Sequence, residues 1–216
     1  MNLMRAFRNL FSFIHESDRY YTQYDRVRRM ELGRLSIYNN LKNEIGKAPQ
    51  GILDFGSGLG YITSYLGATG VEVNDRALQT AKKFFPKTKF MNKSIRELGK
   101  GKKYSAIVCN NVIEHLDDEV REDWFKTIPK ILTPKGRLYI VYDDMYHPLQ
   151  ILSGFIHPGM LLTDPSHIHC WTQKQFRKVL EKHFDIIKEK QGNILTLFLP
   201  FTNKFGTARM YVCRPK

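Results

Sequence analysis

The hydrophobic positions along the chain change their period near residue 50. Upstream, Leu3, Phe7, Leu10, Phe11 and Ile14 recur at spacings of three and four, and Val27, Met30, Leu32, Leu35, Tyr38 and Leu41 form a second amphipathic stretch. Such spacing lines one face of a helix, so 1–48 reads as a helical extension closed by Gly46 and Pro49. Downstream, short apolar runs predict strands at 51–55, 70–74, 88–91, 105–110 and 137–142, with helical patterns at 60–67, 76–85 and 117–132 between them. Strands alternating with helices predict right-handed crossovers and a parallel sheet covered on both faces. "TPKGR", 133–137, reads as a helix-to-strand turn. Residues 143–170 interrupt the rhythm with three prolines, and Thr172 with Gln175 then opens a further helix through a capping box. Runs near 185–190, 194–199 and 208–213 lie too close together for intervening helices, which predicts antiparallel pairing.

Composition adds a few bounds. With 216 residues, 42% hydrophobic and 25% charged, the chain suits one globular domain, 49–216, behind its extension. No apolar run is long enough to cross a bilayer. Arg5 and Arg8 interrupt the first apolar stretch and no small-residue cleavage site follows, so it reads as mature protein rather than as a leader. Cys109, Cys170 and Cys213 are widely separated, which suits a reducing cytosol and a cytoplasmic location. The formal net charge is +13, and residues 82–103 hold nine Lys or Arg against the single acid Glu97. That run reads as a solvated edge, with nucleic acid, an anionic membrane or a phosphorylated substrate as competing partners. The first amphipathic stretch also allows peripheral membrane contact, although packing on the main domain is the favoured reading.

The densest chemistry lies in "ILDFGSGLG", 52–60. A parallel sheet binds its ligand beyond the carboxyl ends of its strands, where strand order reverses. Gly56, Gly58 and Gly60 follow the first strand and let a ligand approach the backbone without a Cβ in the way. The next helix offers unpaired N–H groups to a carboxylate. Asp54 is placed to accept from an ammonium group, directly or through water, and Glu72 at the tip of the second strand to accept both hydroxyls of a ribose. The glycine spacing departs from the G-x-G-x-x-G of dinucleotide sites.

Together these residues resemble the class I S-adenosylmethionine-dependent methyltransferases, in particular their small-molecule type 11/12 branch, over about residues 50–190. "LDFGSGLG" is similar to the first motif, "GVEVNDRAL" to the second-strand motif, "AIVCNNVIEHL" to the fourth-strand motif, "ILTPKGRLYI" to the loop usually written L-K-P-G-G-x-L, and "HIHCWTQKQFRKVLEKHFDII" to the helix after the substrate loop. The resemblance implies a Rossmann-like, doubly wound, seven-stranded, mostly parallel α/β sheet with an antiparallel C-terminal strand. It implies S-adenosyl-L-methionine held by Asp54, Gly56, Ser57, Gly58, Gly60, Glu72, Val73, Ser94, Ile95, Asn110 and Asn111. Ser94 stands where the family often has Asp against the adenine, and Lys135 replaces a loop glycine. The implied reaction is in-line methyl transfer to a small molecule. RNA or another nucleic acid as acceptor, and a non-catalytic scaffold that binds the cofactor, are the alternatives.

Alignment of two atoms is most of what this reaction asks of a protein, so no fixed triad is expected. His167 and His169 are the candidate bases; a loop-holding role competes for His169, and His115 reads as packed. Asp143, Tyr146 and His147 are candidate substrate contacts within the insertion 143–170, whose Phe155, Ile156, Met160, Leu161 and Leu162 suggest an apolar or amphipathic acceptor. Asp143 and Asp144, at the end of the fifth strand, could orient a substrate amine or hydroxyl or could equally be turn formers. Tyr20, Tyr21 and Tyr24 could lid the cofactor, with a packed helix face as the simpler reading. The histidines of "HIHC", with His147 and His157, lack a clear carboxylate partner, so no metal is expected.

Overall fold

The computed structural model describes residues 35–99, 101, 103–144, 146, 167–192 and 208–216. The first 34 residues, most of the insertion and the expected strand at 194–199 lie outside them, together with Tyr20, Tyr21, Tyr24, His147, His157 and the apolar residues of the insertion.

Helix α1 (Leu35–Ile45) precedes β1 (Ile52–Phe55), α2 (Tyr61–Leu66), β2 (Thr69–Val71), α3 (Asp75–Phe84), β3 (Lys89–Met91), α4 (Ile95–Leu98), β4 (Tyr104–Asn110), a 3-10 turn (Ile113–His115), α5 (Asp118–Ile131), β5 (Leu132–Asp143), α6 (Gln173–Glu181), β6 (Phe184–Gly192) and β7 (Ala208–Pro215). The strands form one sheet in the order β3-β2-β1-β4-β5-β7-β6. The first five are parallel, and β7 inserts antiparallel between β5 and β6. Strand order therefore reverses between β1 and β4.

Side-chain alternation along the central strands explains why both faces are covered. Ile107 and Cys109 of β4, with Leu138, Ile140 and Tyr142 of β5, join Trp124, Phe125, Phe176 and Phe184 in one core. Ala106 and Val108, with Tyr139 and Val141, join the other. There α1 supplies Ile37, Tyr38, Leu41 and Ile45, all buried, so part of the second amphipathic stretch packs on protein. Each large side chain taken fully out of water contributes about 1.5–3 kcal/mol. Gly46, at φ 54°, ends α1 by donating its N–H to the Lys42 carbonyl at 3.1 Å.

The helix over 117–132 is found as α5, capped by the Asp117 carboxylate accepting from Val120 N–H at 2.8 Å. The Thr172–Gln175 capping box opens α6 as expected. One boundary differs. β5 begins at Leu132, so "TPKGR" lies inside the strand as an irregularity: Tyr104 pairs with Leu132, and the next pair is Ala106 with Arg137. The chain doubles back there, with the space a Gly136 Cβ would fill only 3.0 Å from the Thr133 backbone. That crowding explains why Gly136 is kept while Lys135, exposed beside it, can replace glycine. No described helix is long and apolar enough to cross a membrane.

Candidate functional site

The turn after β1 is tied to β2. Gly56 N–H and Ser57 N–H both donate to the Val71 carbonyl at 2.9 Å, and Gly60 N–H donates to the Ser57 carbonyl at 2.9 Å. The three glycines share a left-handed backbone, with φ of 71°, 50° and 82°, but they serve different neighbours. A Cβ on Gly56 would lie 2.4 Å from the Val112 side chain, and one on Gly60 would lie 2.5 Å from the Phe90 ring. A Cβ on Gly58 would meet nothing within 4 Å among the described residues. Two glycines therefore make room for the protein's own side chains, and the middle one borders open space.

Glu72 closes this cradle. Its carboxylate accepts from Gly58 N–H, Val73 N–H and Asn74 N–H, each at 2.9 Å. A carboxylate has about four acceptor positions, so Glu72 clamps the glycine turn to the tip of β2 and keeps limited capacity for a sugar hydroxyl. Beside it Val73, two residues past the end of β2, is 64% exposed. Buried polar atoms also gather at this end of the sheet. Ser57 Oγ, Asn110 Oδ1 and Asn111 Oδ1 are out of solvent and have no hydrogen-bond partner among the described residues, an arrangement that is stable only where something else satisfies them.

Some expected site residues take other roles. Asp54 is 1% exposed, and its Oδ2 accepts from the Thr63 hydroxyl at 2.6 Å, which anchors α2 beneath the turn. Ile95 is 2% exposed, and its side chain belongs to the core. Ser94 caps α4 and spends its hydroxyl proton on Glu97 Oε2 at 2.7 Å, which leaves the oxygen able to accept. Glu97 is held below the usual carboxylate range mainly by the Ser94 backbone N–H. Asn111 sits at φ 52°, an uncommon conformation for a residue with a side chain. It donates from Nδ2 to Asp143 Oδ2 at 2.6 Å, joining the tips of β4 and β5. Asp144 is a turn former, accepting from Tyr146 N–H at 2.9 Å and Gln173 N–H at 3.3 Å. Tyr146 is half exposed.

The segment from His167 returns the chain to the sheet. Ile168 N–H and His169 N–H donate to the Glu114 carbonyl at 2.9 and 3.0 Å. Trp171 N–H donates to the Tyr142 hydroxyl, which donates in turn to the Trp171 carbonyl at 2.6 Å. Burial raises the Tyr142 phenol far above its ordinary value, which keeps it a proton donor. His169 is engaged: its Nε2 meets the Arg121 guanidinium and its ring stacks on Trp171 at 4.9 Å, with Arg121 over the same indole. It braces the loop, and the reading of His169 as a base gives way to the structural one.

His167 instead packs its ring on His115, with centroids 4.5 Å apart. The ligand atoms of Glu114, His115 and His167 all lie within 4.8 Å of one another, and Glu114 is only 2% exposed. The carboxylate missing from the "HIHC" reading is thus supplied by a residue 53 positions upstream (167 − 114 = 53). Two hydrogen bonds to the Glu114 carbonyl create the meeting, and linear spacing carries no trace of it. The "EH" dipeptide after the fourth strand was the one available signal.

Comparison with known proteins adds independent findings. A family described as methyltransferase domain matches residues 24–186. The ubiquinone biosynthesis O-methyltransferase of Rickettsia conorii is 27% identical over 153 residues, covering 67% of this chain and 51% of that protein. The chain thus spans about half the length of that curated relative. Among solved structures, a SAM-dependent methyltransferase of Thermotoga maritima superposes with a TM-score of 0.69 at 16% identity, over 92% of this chain and 97% of that one. A protein of Pyrococcus horikoshii OT3 gives 0.63 at 15%, over 91% and 93%. Magnesium protoporphyrin IX methyltransferase of Synechocystis PCC 6803 gives 0.53 at 16%, over 82% and 80%. At these identities the structural likenesses speak for the fold alone.

Proposed function

The chain belongs to the methyltransferase-domain family of class I S-adenosylmethionine-dependent enzymes, and on that premise we propose that it methylates a small-molecule acceptor. One observation carries the cofactor assignment. Among the described residues, the turn at the β1/β4 reversal leaves Gly58 beside open space and the polar atoms of Ser57 and Asn110 buried without partners.

S-adenosylmethionine supplies a methyl group on a positively charged sulfur, which departs as a neutral thioether. The residues present fit that molecule. Gly58, Ser57 and Asn110 line the part of the crevice suited to its amino-acid moiety. Glu72 has acceptor capacity for its ribose, Val73 offers an apolar surface to the base, and Ser94 Oγ remains an acceptor for an amino group. Because the leaving group is neutral, the protein's task is to align two atoms and exclude water. His167 is the remaining candidate to take a proton from the acceptor, and Asp143, held by Asn111, is the candidate to orient it. The relative from Rickettsia conorii acts in ubiquinone biosynthesis as an O-methyltransferase, as its name states, which favours a hydroxyl on an aromatic or amphipathic acceptor. A cytoplasmic location belongs to the same reading; Cys109, Cys170 and Cys213 form no disulfide.

Calorimetry tests this. Saturable S-adenosylmethionine binding much tighter than NAD is expected, with Glu72→Ala weakening it by about 1–3 kcal/mol through loss of the acceptor and of the loop clamp. Tighter NAD binding would sink the assignment.

A further inference from the structure

We propose that Glu114, His115 and His167 form a binding site for a first-row transition-metal dication. Their ligand atoms lie within 4.8 Å of one another. Bonds of about 2.0–2.2 Å to nitrogen and oxygen set neighbouring ligands about 3.0–3.5 Å apart, so modest side-chain rotations close the trio on an ion. The chemistry of the set is selective. Two imidazoles and one carboxylate suit zinc, manganese, iron or cobalt, whereas magnesium prefers oxygen ligands and retains its waters. Glu114 is only 2% exposed, so an ion held there is shielded from water, and its attraction to a carboxylate is stronger than in bulk solvent.

The architecture holds the ligands in place. Glu114 and His115 belong to the 3-10 turn that follows β4. His167 is brought over them because Ile168 and His169 donate to the Glu114 carbonyl. The second of these residues is clamped in turn by Arg121 on α5 and by the Trp171 ring. Support of this kind is what orients the side chains that ligate an ion in metal sites.

Three protein ligands leave at least one coordination position for an outside molecule. The trio lies just past the carboxyl end of β4, on the acceptor side of the proposed crevice, so a hydroxyl of the acceptor is the natural further ligand. With the ion bound, His167 serves as a ligand and no longer as the base: the coordinated hydroxyl loses its proton to solvent water and stays bound as an oxyanion, whose lone pair is then the methyl-accepting nucleophile. This last role rests on the proposed function, whereas the ion site itself does not.

The test uses the untagged full chain, stripped with chelator and dialysed. Zn2+, Mn2+ and Co2+ are titrated in separate calorimetric runs, Co2+ also by its visible absorption, and Mg2+ serves as the comparison. One equivalent per chain is expected, with Mg2+ much weaker. His115→Ala, His167→Ala and the nearly isosteric Glu114→Gln should each weaken binding by about tenfold or more, with cooperative thermal transitions retained. S-adenosylmethionine affinity, measured in ion-free buffer, reports separately on the cofactor site. Failure of that binding would remove the methyl-transfer role and leave the ion site standing. No saturable ion binding, equal affinity in all three folded variants, or Mg2+ binding as tightly as Zn2+ would overturn the proposal.

Discussion

Single glycines differ more in their surroundings than in their backbone. Gly56 and Gly58 share left-handed φ values, yet only the first has a side chain, Val112, pressed against the position of its missing Cβ. Gly58→Ala should therefore cost only the left-handed penalty of about 1–2 kcal/mol, while its methyl obstructs the crevice and lowers cofactor affinity by about tenfold or more. Gly56→Ala adds overpacking of about 1–3 kcal/mol to the same penalty. Chemical denaturation of both variants, with calorimetry on Gly58→Ala, measures the contrast. Equal destabilisation would show that the open space beside Gly58 is wrongly assigned.

Elements are joined here by charge as well as by packing. Glu44 near the end of α1 meets Lys188 and Lys190 of β6 at 2.8 and 2.6 Å, and hydrogen bonds from Lys188 and then Lys190 hold its carboxyl below the usual carboxylate range. A carboxyl with a lowered folded pKa binds protons more readily when unfolded. Its contribution is therefore complete above the ordinary value of about 4.3 and is lost as pH falls through the lowered folded value. The melting temperature of the wild type should drop across that acidic window more steeply than that of Glu44→Gln, with the two profiles parallel above about pH 5. Thermal melts at closely spaced pH values decide it; identical slopes would mean that the link between α1 and β6 adds no pH-dependent stability.

For the whole molecule, a ligand that binds only the folded state raises stability by about 2.7 kcal/mol at a hundred times its dissociation constant. In a chain of this size that is a rise in melting temperature of about 5–11 °C. Differential scanning with S-adenosylmethionine should show it; an unchanged transition would indicate that the crevice is not a native binding site. Alternation of strand and helix patterns, glycines after the first strand and a capping box at Thr172 are short-range features legible in local sequence, whereas the packing of Val112 and Phe90 against two of those glycines is not. The insertion of β7 between β5 and β6, the burial of the Ile95 side chain in the core, and the engagement of His169 by Arg121 depend on partners distant in the chain. The same holds for the meeting of Glu114, His115 and His167, which linear spacing cannot register. Backbone hydrogen bonds to the Glu114 carbonyl bring those side chains together, and only the folded chain can form them.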